Sequence, residues 1–203
     1  MLAIIDYGIG NLFSLSSSLK AIGVEAAITR DEKLIASADH IILPGVGAFR
    51  DAAAKLKETG MDQVVKEEAA KGKPLLGICL GMQLLFEKSY EYGEYEGLGF
   101  IKGSVDPMEG LVPKELKLPQ MGWNRLHLEA PDHPLFKYTK EGDFVFFVHS
   151  YYGNCKDGSA IAFTEYGVPI TAAVAKDNVW GTQFHPEKSG EKGLAILKAF
   201  TEF

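Results

Sequence analysis

Short apolar runs alternate with segments of helical periodicity over residues 2–87, and this alternation constrains the fold more than any other feature of the chain. Apolar runs of strand length predict buried strands, and apolar residues three or four apart predict helices. Strands separated by helices favour a parallel sheet with right-handed crossovers. The predicted strands are 2–5, 24–28, 40–43 and 74–78, and the predicted helices are 12–22 (capped by Asn11), 48–58, 61–71 and 81–87.

The pattern changes after this alternating part. Residues 87–96 are acidic and rich in Tyr and Gly, which favours a solvated surface loop. Period-two patterns separated by turn residues then predict further strands, which we expect to extend the sheet with antiparallel or mixed pairing. These strands are 99–105, 123–128, 144–148, 159–164, 170–175 and 179–184, followed by a helix over 190–203. The expected fold is α/β, an open mixed, mostly parallel central sheet flanked by helices in a single domain, 1–203.

The composition excludes several classes of function. The chain has 203 residues, 46% of them apolar, with a net charge of −6 and no basic stripe, which argues against a nucleic-acid partner. Two Cys and five scattered His predict neither a disulfide framework nor a zinc site, and no cofactor is expected. The N-terminal segment lacks a charged signal region, and no apolar run has membrane-spanning length, so we expect a cytoplasmic protein.

Cys79 lies between Gly77 and Gly81, where the fourth predicted strand meets the next helix. This is the layout of a nucleophile elbow with Cys in the place of Ser. Glycine permits the sharp turn, and a helix N-terminus favours the thiolate. A lone cysteine is more often a small buried hydrophobe, so a partner elsewhere in the chain must decide between the two interpretations.

His185 and Glu187 end the last predicted strand and stand two residues apart, so in an extended segment they project to one face. Pro186 biases His185 towards that extended form. Glu187 can accept from Nδ1–H and leave Nε2 for a thiol, as in a Cys–His–carboxylate triad. The pair favours a catalytic Cys79 that attacks an acyl carbonyl, while His185 protonates a leaving nitrogen and later activates water against the thioester.

The glycine-rich segment 44–49 follows the third predicted strand and shares the expected rim with Cys79. It can be a simple tight turn, or its backbone can supply an oxyanion donor, which we assign to Val46 together with Leu80 N–H. Other glycine patterns fail as nucleotide motifs. The third glycine of a dinucleotide fingerprint would fall at Phe13, and Glu67 stands where a P-loop begins.

Segment 77–83, with His185 and Glu187 downstream, resembles the class I, triad-type glutamine amidotransferases. Five segments, taken together, further resemble the glutaminase subunits of imidazole glycerol phosphate synthase within that family. Each segment alone is modest evidence, but the match spans residues 4–189. The segments are 6–11, 44–49, 121–124, 147–151 and 183–189.

The resemblance implies hydrolysis of L-glutamine to glutamate and ammonia. It further implies a heterodimer in which a (β/α)8-barrel cyclase subunit uses the ammonia to make imidazole glycerol phosphate and aminoimidazole carboxamide ribotide in histidine biosynthesis. An isolated glutaminase would waste glutamine, so we expect the partner to raise its activity. The implied site residues are the triad Cys79, His185 and Glu187; the glutamine-binding Gly47, Gln83, His149, Ser150 and Tyr151; and the partner-facing Asn11, Met121, Trp123 and Lys188.

Some of these positions have a second interpretation. Met121 and Trp123 can be core residues at a bend or exposed anchors at an interface. The Ser150 hydroxyl can simply bond its own backbone. The chain departs from the family at Gln120, where His is usual; Gln still donates a hydrogen bond but cannot titrate.

Three other functions compete with this prediction. A glutaminase of vitamin B6 or tryptophan synthesis is disfavoured by segments 6–11 and 121–124. A catalytically silent regulatory subunit is disfavoured by the intact triad. A nucleotide-binding module is weakened by the two failed glycine motifs.

Overall fold

Short buried strands and helices alternate through the first half of the molecule, and strands dominate the second half. The computed structural model describes residues 1–203. The strands are β1 (Leu2–Ile5), β2 (Ala26–Thr29), β3 (His40–Leu43), β4 (Leu75–Ile78), β5 (Phe86–Ser89), β6 (Tyr95–Glu96), β7 (Ile101–Pro107), β8 (Gln120–Arg125), β9 (His127–Leu128), β10 (Phe144–His149), β11 (Tyr151–Cys155), β12 (Ala160–Glu165), β13 (Pro169–Lys176) and β14 (Val179–Thr182). The helices are α1 (Leu12–Ala21), α2 (Glu32–Ser37), α3 (Phe49–Glu58), α4 (Met61–Ala70), α5 (Leu80–Leu84) and α6 (Gly190–Thr201), with 3-10 turns at Pro134–Phe136 and Pro186–Lys188.

An eight-stranded sheet in the order β2-β1-β3-β4-β14-β13-β12-β9 forms the centre of the molecule. The five strands from β2 to β14 pair in parallel. The remaining strands, β13, β12 and β9, pair antiparallel. The prediction of a mixed, mostly parallel central sheet flanked by helices is therefore confirmed.

Helices cover both faces of this sheet, because its inner strands are apolar on both sides. Along β1, Ala3 and Ile5 face one core cluster, which also holds the apolar residues of α3 and α4. Leu2 and Ile4 face the other cluster, which holds those of α1 and α6. No helix is both long and apolar enough to cross a membrane.

Not every predicted strand joins the central sheet. β7 lies in a separate four-stranded sheet in the order β11-β7-β5-β6, and β10 pairs with β8 in a two-stranded sheet. The expectation that these strands extend the central sheet is therefore wrong. A period-two pattern indicates which face of a strand is buried, but it does not indicate which strand is its neighbour.

The segment after Cys79 also differs from the prediction. The helix expected over 81–87 ends at Leu84, and β5 begins at Phe86. The Leu98 N–H donates to the Leu84 carbonyl, and the Phe100 N–H donates to the Leu85 carbonyl, each at 2.8 Å. These tertiary hydrogen bonds occupy the carbonyls at the helix end, so those carbonyls do not accept from a further helical turn. The solvated loop expected over 87–96 is instead a hairpin of β5 and β6 with Ser89 fully buried.

Two further elements were not predicted. α2 has only six residues, too few for a periodic pattern, although Asp31 caps it by accepting from the Lys33 and Leu34 N–H groups. β11 follows β10 almost directly and pairs with β7 in the smaller sheet.

The pairing of β4 with β14 decides where the chemistry lies. These strands are parallel neighbours, with Ile78 opposite Thr182. The residues that follow them, Cys79 on one side and Gln183 to His185 on the other, therefore leave the sheet side by side at its carboxyl edge. This edge is where ligands bind in open α/β sheets.

Candidate active site

Cys79 occupies a strained turn between β4 and α5. Its φ of 55° and ψ of −110° are uncommon for a residue with a side chain. Its own N–H is held by the Thr182 carbonyl of β14 at 2.7 Å. The flanking glycines make the turn possible: a Cβ on Gly77 would lie 2.6 Å from the Gly81 oxygen, and one on Gly81 would overlap the Leu43 carbonyl.

His185 and Glu187 form the buried hydrogen-bonded pair that the sequence predicts. Nδ1–H of His185 donates to Oε1 of Glu187 at 2.7 Å, and the side chains are 2% and 3% exposed. Backbone contacts anchor this segment on β10. His185 N–H donates to the Phe146 carbonyl, and the Ser189 hydroxyl donates to the His185 carbonyl at 2.6 Å while accepting from Phe146 N–H.

The pKa of His185 reflects opposing effects. Burial disfavours the imidazolium, but the hydrogen bonds to Cys79 and Glu187 and the negative charges of both groups outweigh it and raise the pKa to about 9. His185 is therefore charged at neutral pH. A cationic imidazole beside a cysteine is the environment in which nucleophilic cysteines act.

A cavity of about 420 Å³ opens above Cys79 and His185. Its volume suits a small polar molecule. The cavity brings together most of the predicted site residues, namely Val46, Gly47, Cys79, Leu80, Gln83, His149, Ser150, Tyr151, His185 and Lys188. Glu187 lies behind His185. Asn11 borders a void of about 10 Å³ that also contacts His185 and Glu187. Neither Met121 nor Trp123 lines the cavity.

Two predicted ligand-binding side chains, Gln83 and His149, are both held by the backbone carbonyl of Tyr151. The Gln83 amide nitrogen donates to the Tyr151 carbonyl at 3.0 Å and to Gln183 Oε1 at 3.1 Å, which leaves its oxygen for a ligand. His149 donates from Nδ1 to the same Tyr151 carbonyl at 2.8 Å. Burial lowers the pKa of His149 to about 4, so the ring is neutral, and its buried Nε2 has no partner in the protein.

Four further residues line the cavity that the sequence does not predict as site residues: Glu91, Tyr92, Pro119 and Val148. Glu91 turns inward from the β5–β6 hairpin, and its carboxylate accepts from Phe49 N–H at 2.6 Å. Burial raises the pKa of Glu91. The sequence contains no signal for this inward turn, because residues 87–96 have the composition of a solvated loop.

Met121 and Trp123 are exposed, which excludes their interpretation as core residues. Their exposed fractions are 65% and 53%. Trp123 packs edge-to-face on Phe146 with ring centroids 6.1 Å apart, and Lys188 Nζ lies 6.0 Å from the centre of the same ring. Trp123, Phe146 and Lys188 are thus contiguous on the surface.

Gln120, where the family usually has His, is fully buried. It stands opposite His149 in the β8–β10 register. Its amide nitrogen donates to Asn124 Oδ1 at 3.2 Å, and its Oε1 has no partner. Its side chain is therefore an uncharged amide held next to the cavity wall.

Comparison with known proteins identifies close relatives. The family model "Glutamine amidotransferase class-I" matches residues 3–202. Imidazole glycerol phosphate synthase subunit HisH of Caldanaerobacter subterraneus subsp. tengcongensis is 56% identical over 204 residues, which cover 100% of this chain and 98% of that protein. The subunit of the same name in Sulfurimonas denitrificans is 50% identical over 205 residues, again covering 100% and 98%.

Solved structures show the same fold at lower identity. A crystal structure of a glutamine amidotransferase superposes with a TM-score of 0.75 at 19% identity, covering 98% of this chain and 97% of that one. The structure of PurLQS from Thermotoga maritima superposes with a TM-score of 0.73 at 21% identity, covering 99% and 97%. These likenesses confirm the predicted fold class.

Proposed function

Because the chain belongs to the class I glutamine amidotransferase family, we propose that it hydrolyses L-glutamine and supplies the ammonia to the cyclase subunit of imidazole glycerol phosphate synthase in histidine biosynthesis. One observation carries the chemical part of this proposal. Cys79, in its strained turn, and His185, held by the buried Glu187, line the same cavity. The sequence identity of 56% and 50% to HisH subunits, over the whole chain, supports the assignment to histidine biosynthesis.

The proposed reaction begins with attack of the Cys79 thiolate on the carboxamide carbon of glutamine. The carbonyl π electrons move to oxygen, and the backbone N–H groups of Val46 and Leu80 stabilise that oxyanion. Leu80 is suited to this role because the first N–H groups of a helix have no partner within it. Both residues line the cavity with Cys79. One such donor is worth about 10²–10³ in rate.

His185 carries the protons in both half-reactions. Its imidazolium donates a proton to the leaving nitrogen, so the C–N bond breaks, ammonia departs and a thioester remains on Cys79. The now neutral imidazole then takes a proton from water, which attacks the thioester and releases glutamate. Glu187 holds Nδ1, which leaves Nε2 to carry the proton in each step, and stabilises the charged ring.

The cavity wall fits the polar end of glutamine. The Glu91 carboxylate and the free Gln83 oxygen are acceptors suited to the α-ammonium group. Gly47 and the segment from His149 to Tyr151 line other parts of the wall. We assign these residues to substrate binding.

The partner is proposed to be a (β/α)8-barrel cyclase that docks on the rim carrying Met121, Trp123, Lys188 and Asn11. Exposed Trp and Met are enriched at protein interfaces. Asn11 borders a void shared with His185 and Glu187, so docking there can act on the triad directly. This placement supports our expectation that the partner raises glutaminase activity.

The test is ammonia release from L-glutamine by the wild type and by Cys79→Ala, each with and without a barrel cyclase subunit. We expect Cys79→Ala to lower the rate of ammonia release by about 10³-fold or more. We also expect the cyclase subunit to raise the rate of the wild type. Release that depends on Cys79 but not on the cyclase would contradict the assignment to histidine biosynthesis and support the glutaminase activity alone. No release in any combination would favour a silent regulatory subunit.

A further inference from the structure

Gln183 contacts the nucleophile, although the triad does not include it. Its side chain is fully buried, and its Nε2 lies 3.7 Å from Cys79 Sγ. The position follows from the β4–β14 register, which sets Ile78 opposite Thr182 and so places the next residues, Cys79 and Gln183, side by side. We propose that Gln183 is a second hydrogen-bond donor to the Cys79 sulfur and stabilises the thiolate that attacks the substrate, an inference that rests on the proposed glutaminase function.

A fixed backbone carbonyl determines the orientation of the Gln183 amide. The carbonyl of Tyr151 can only accept, so the end of the Gln83 amide that faces it must be NH₂. The same NH₂ group also faces Gln183, which must therefore present its oxygen to Gln83. The other end of the Gln183 amide, directed at Cys79, is then necessarily the N–H donor.

Few other side chains near the Cys79 sulfur can stabilise a thiolate. Val148 presents a carbonyl oxygen 4.0 Å from Sγ, which suits a thiol but repels a thiolate. The Tyr7 hydroxyl, whose pKa burial and the nearby Cys79 charge both raise, is committed to the Pro44 carbonyl at 2.7 Å. The side chains that can favour the thiolate are therefore the imidazolium of His185, oriented by Glu187, and the uncharged amide of Gln183.

The short helix that follows Cys79 increases the importance of this donor. α5 has five residues, so fewer aligned peptide dipoles contribute at its N-terminus than in a long helix. A hydrogen bond to the charged form of a group favours that form. Through Gln83, the same network reaches the Tyr151 carbonyl on the substrate side of the cavity, so one chain of hydrogen bonds links the cavity wall to the sulfur.

The sequence contains a signal for Gln183. It stands two residues before His185 in a segment whose pattern predicts a strand, in which alternate side chains project to the same side. Phe184 between them is buried on the other side, edge-to-face with Phe147 at 5.8 Å.

The experiment measures alkylation of Cys79 by iodoacetamide as a function of pH in the full-length chain, with mass spectrometry separating Cys79 from Cys155. Gln183→Met removes the donor at similar length, and Gln183→Glu keeps the shape but replaces the donor with an acceptor. Thr182→Val is the matched control, since Thr182 is an adjacent buried residue whose hydroxyl bonds the Phe184 carbonyl and not the sulfur. Circular dichroism confirms that each variant is folded.

We expect the midpoint of the pH–rate profile to move up by about one pH unit in Gln183→Met, with alkylation about tenfold slower below the midpoint. Gln183→Glu should move it further, and Thr182→Val should not move it. If Gln183→Met does not fold, Gln183→Glu alone decides. Coincident profiles for the wild type and the folded Gln183 variants would overturn this inference and leave the glutaminase intact. A wild-type Cys79 no more reactive than Cys155 would overturn both.

Discussion

The imidazole of His185 and the carboxylate of Glu187 are joined by a 2.7 Å hydrogen bond, with both side chains almost wholly withdrawn from solvent. Removing a carboxylate from water is costly unless it is paired. Here one oxygen is paired with His185, while the other, Oε2, is buried without a partner. The chain therefore keeps a buried carboxyl group whose paired oxygen orients the imidazole.

Glu187→Gln should lower the rate of glutamine hydrolysis by about 10³–10⁴-fold. The Gln side chain fills the same space but can present an N–H to His185, which then protonates on the wrong nitrogen. Ammonia release by the complex with the cyclase gives the rate, and thermal unfolding checks that the variant is folded. Activity within tenfold of wild type would show that Glu187 does not set the tautomer.

The pH dependence of hydrolysis should show a basic limb near pH 9. The pKa of His185 is raised to about 9, so the imidazolium that donates to the leaving nitrogen is present at neutral pH and disappears as the pH rises through 9. We expect kcat/KM to fall about tenfold for each pH unit above this value. Profiles measured from pH 7 to 10.5 test it, and a rate that keeps rising through pH 10 would contradict the assignment of His185 as the proton donor.

Gly81→Ala should destabilise the protein by about 2–3 kcal/mol through overpacking. In an ordinary helix, Gly to Ala stabilises by about 1 kcal/mol, but here the new Cβ would overlap the Leu43 carbonyl. Urea unfolding measures the change. Gly60→Ala is the control, because Gly60 has a φ of 72° with nothing within 4 Å of the new atom, and we expect it to cost only about 1 kcal/mol from backbone strain. Equal costs at the two positions would contradict the steric argument.

Trp123→Ala should weaken binding of the cyclase by about 2 kcal/mol, or about 30-fold in Kd. Trp123 is more than half exposed, so its removal should change stability little. Titration of the labelled subunit with the cyclase gives Kd. Tyr138→Ala, a substitution of an exposed aromatic that bonds Glu202, should leave Kd unchanged. An unchanged Kd for Trp123→Ala would place the interface elsewhere.

The sequence was sufficient to predict those elements and motifs whose structure is determined by interactions between residues close together in the chain. The buried strands β1 and β3 and the helices α1, α3 and α4 lie close to their predicted positions, since each has a clear periodic pattern or turn signal. The Cys79 elbow and the His185–Glu187 pair are likewise local patterns of glycine, proline and period two. The prediction failed after Leu84, where backbone groups of Leu98 and Phe100 end the helix.

Only the tertiary structure decided which of these local patterns meet. The periodicity of β4 and β14 indicates that each strand is buried, but not that they are neighbours in a register that sets Ile78 opposite Thr182. That pairing brings Cys79, Gln183 and His185 to one edge of the sheet. The tertiary structure also decided the inward turn of Glu91 and the exposure of Met121 and Trp123. The physical reason is that burial and pairing depend on segments far apart in the chain, whereas a sequence pattern specifies only the faces that each segment presents.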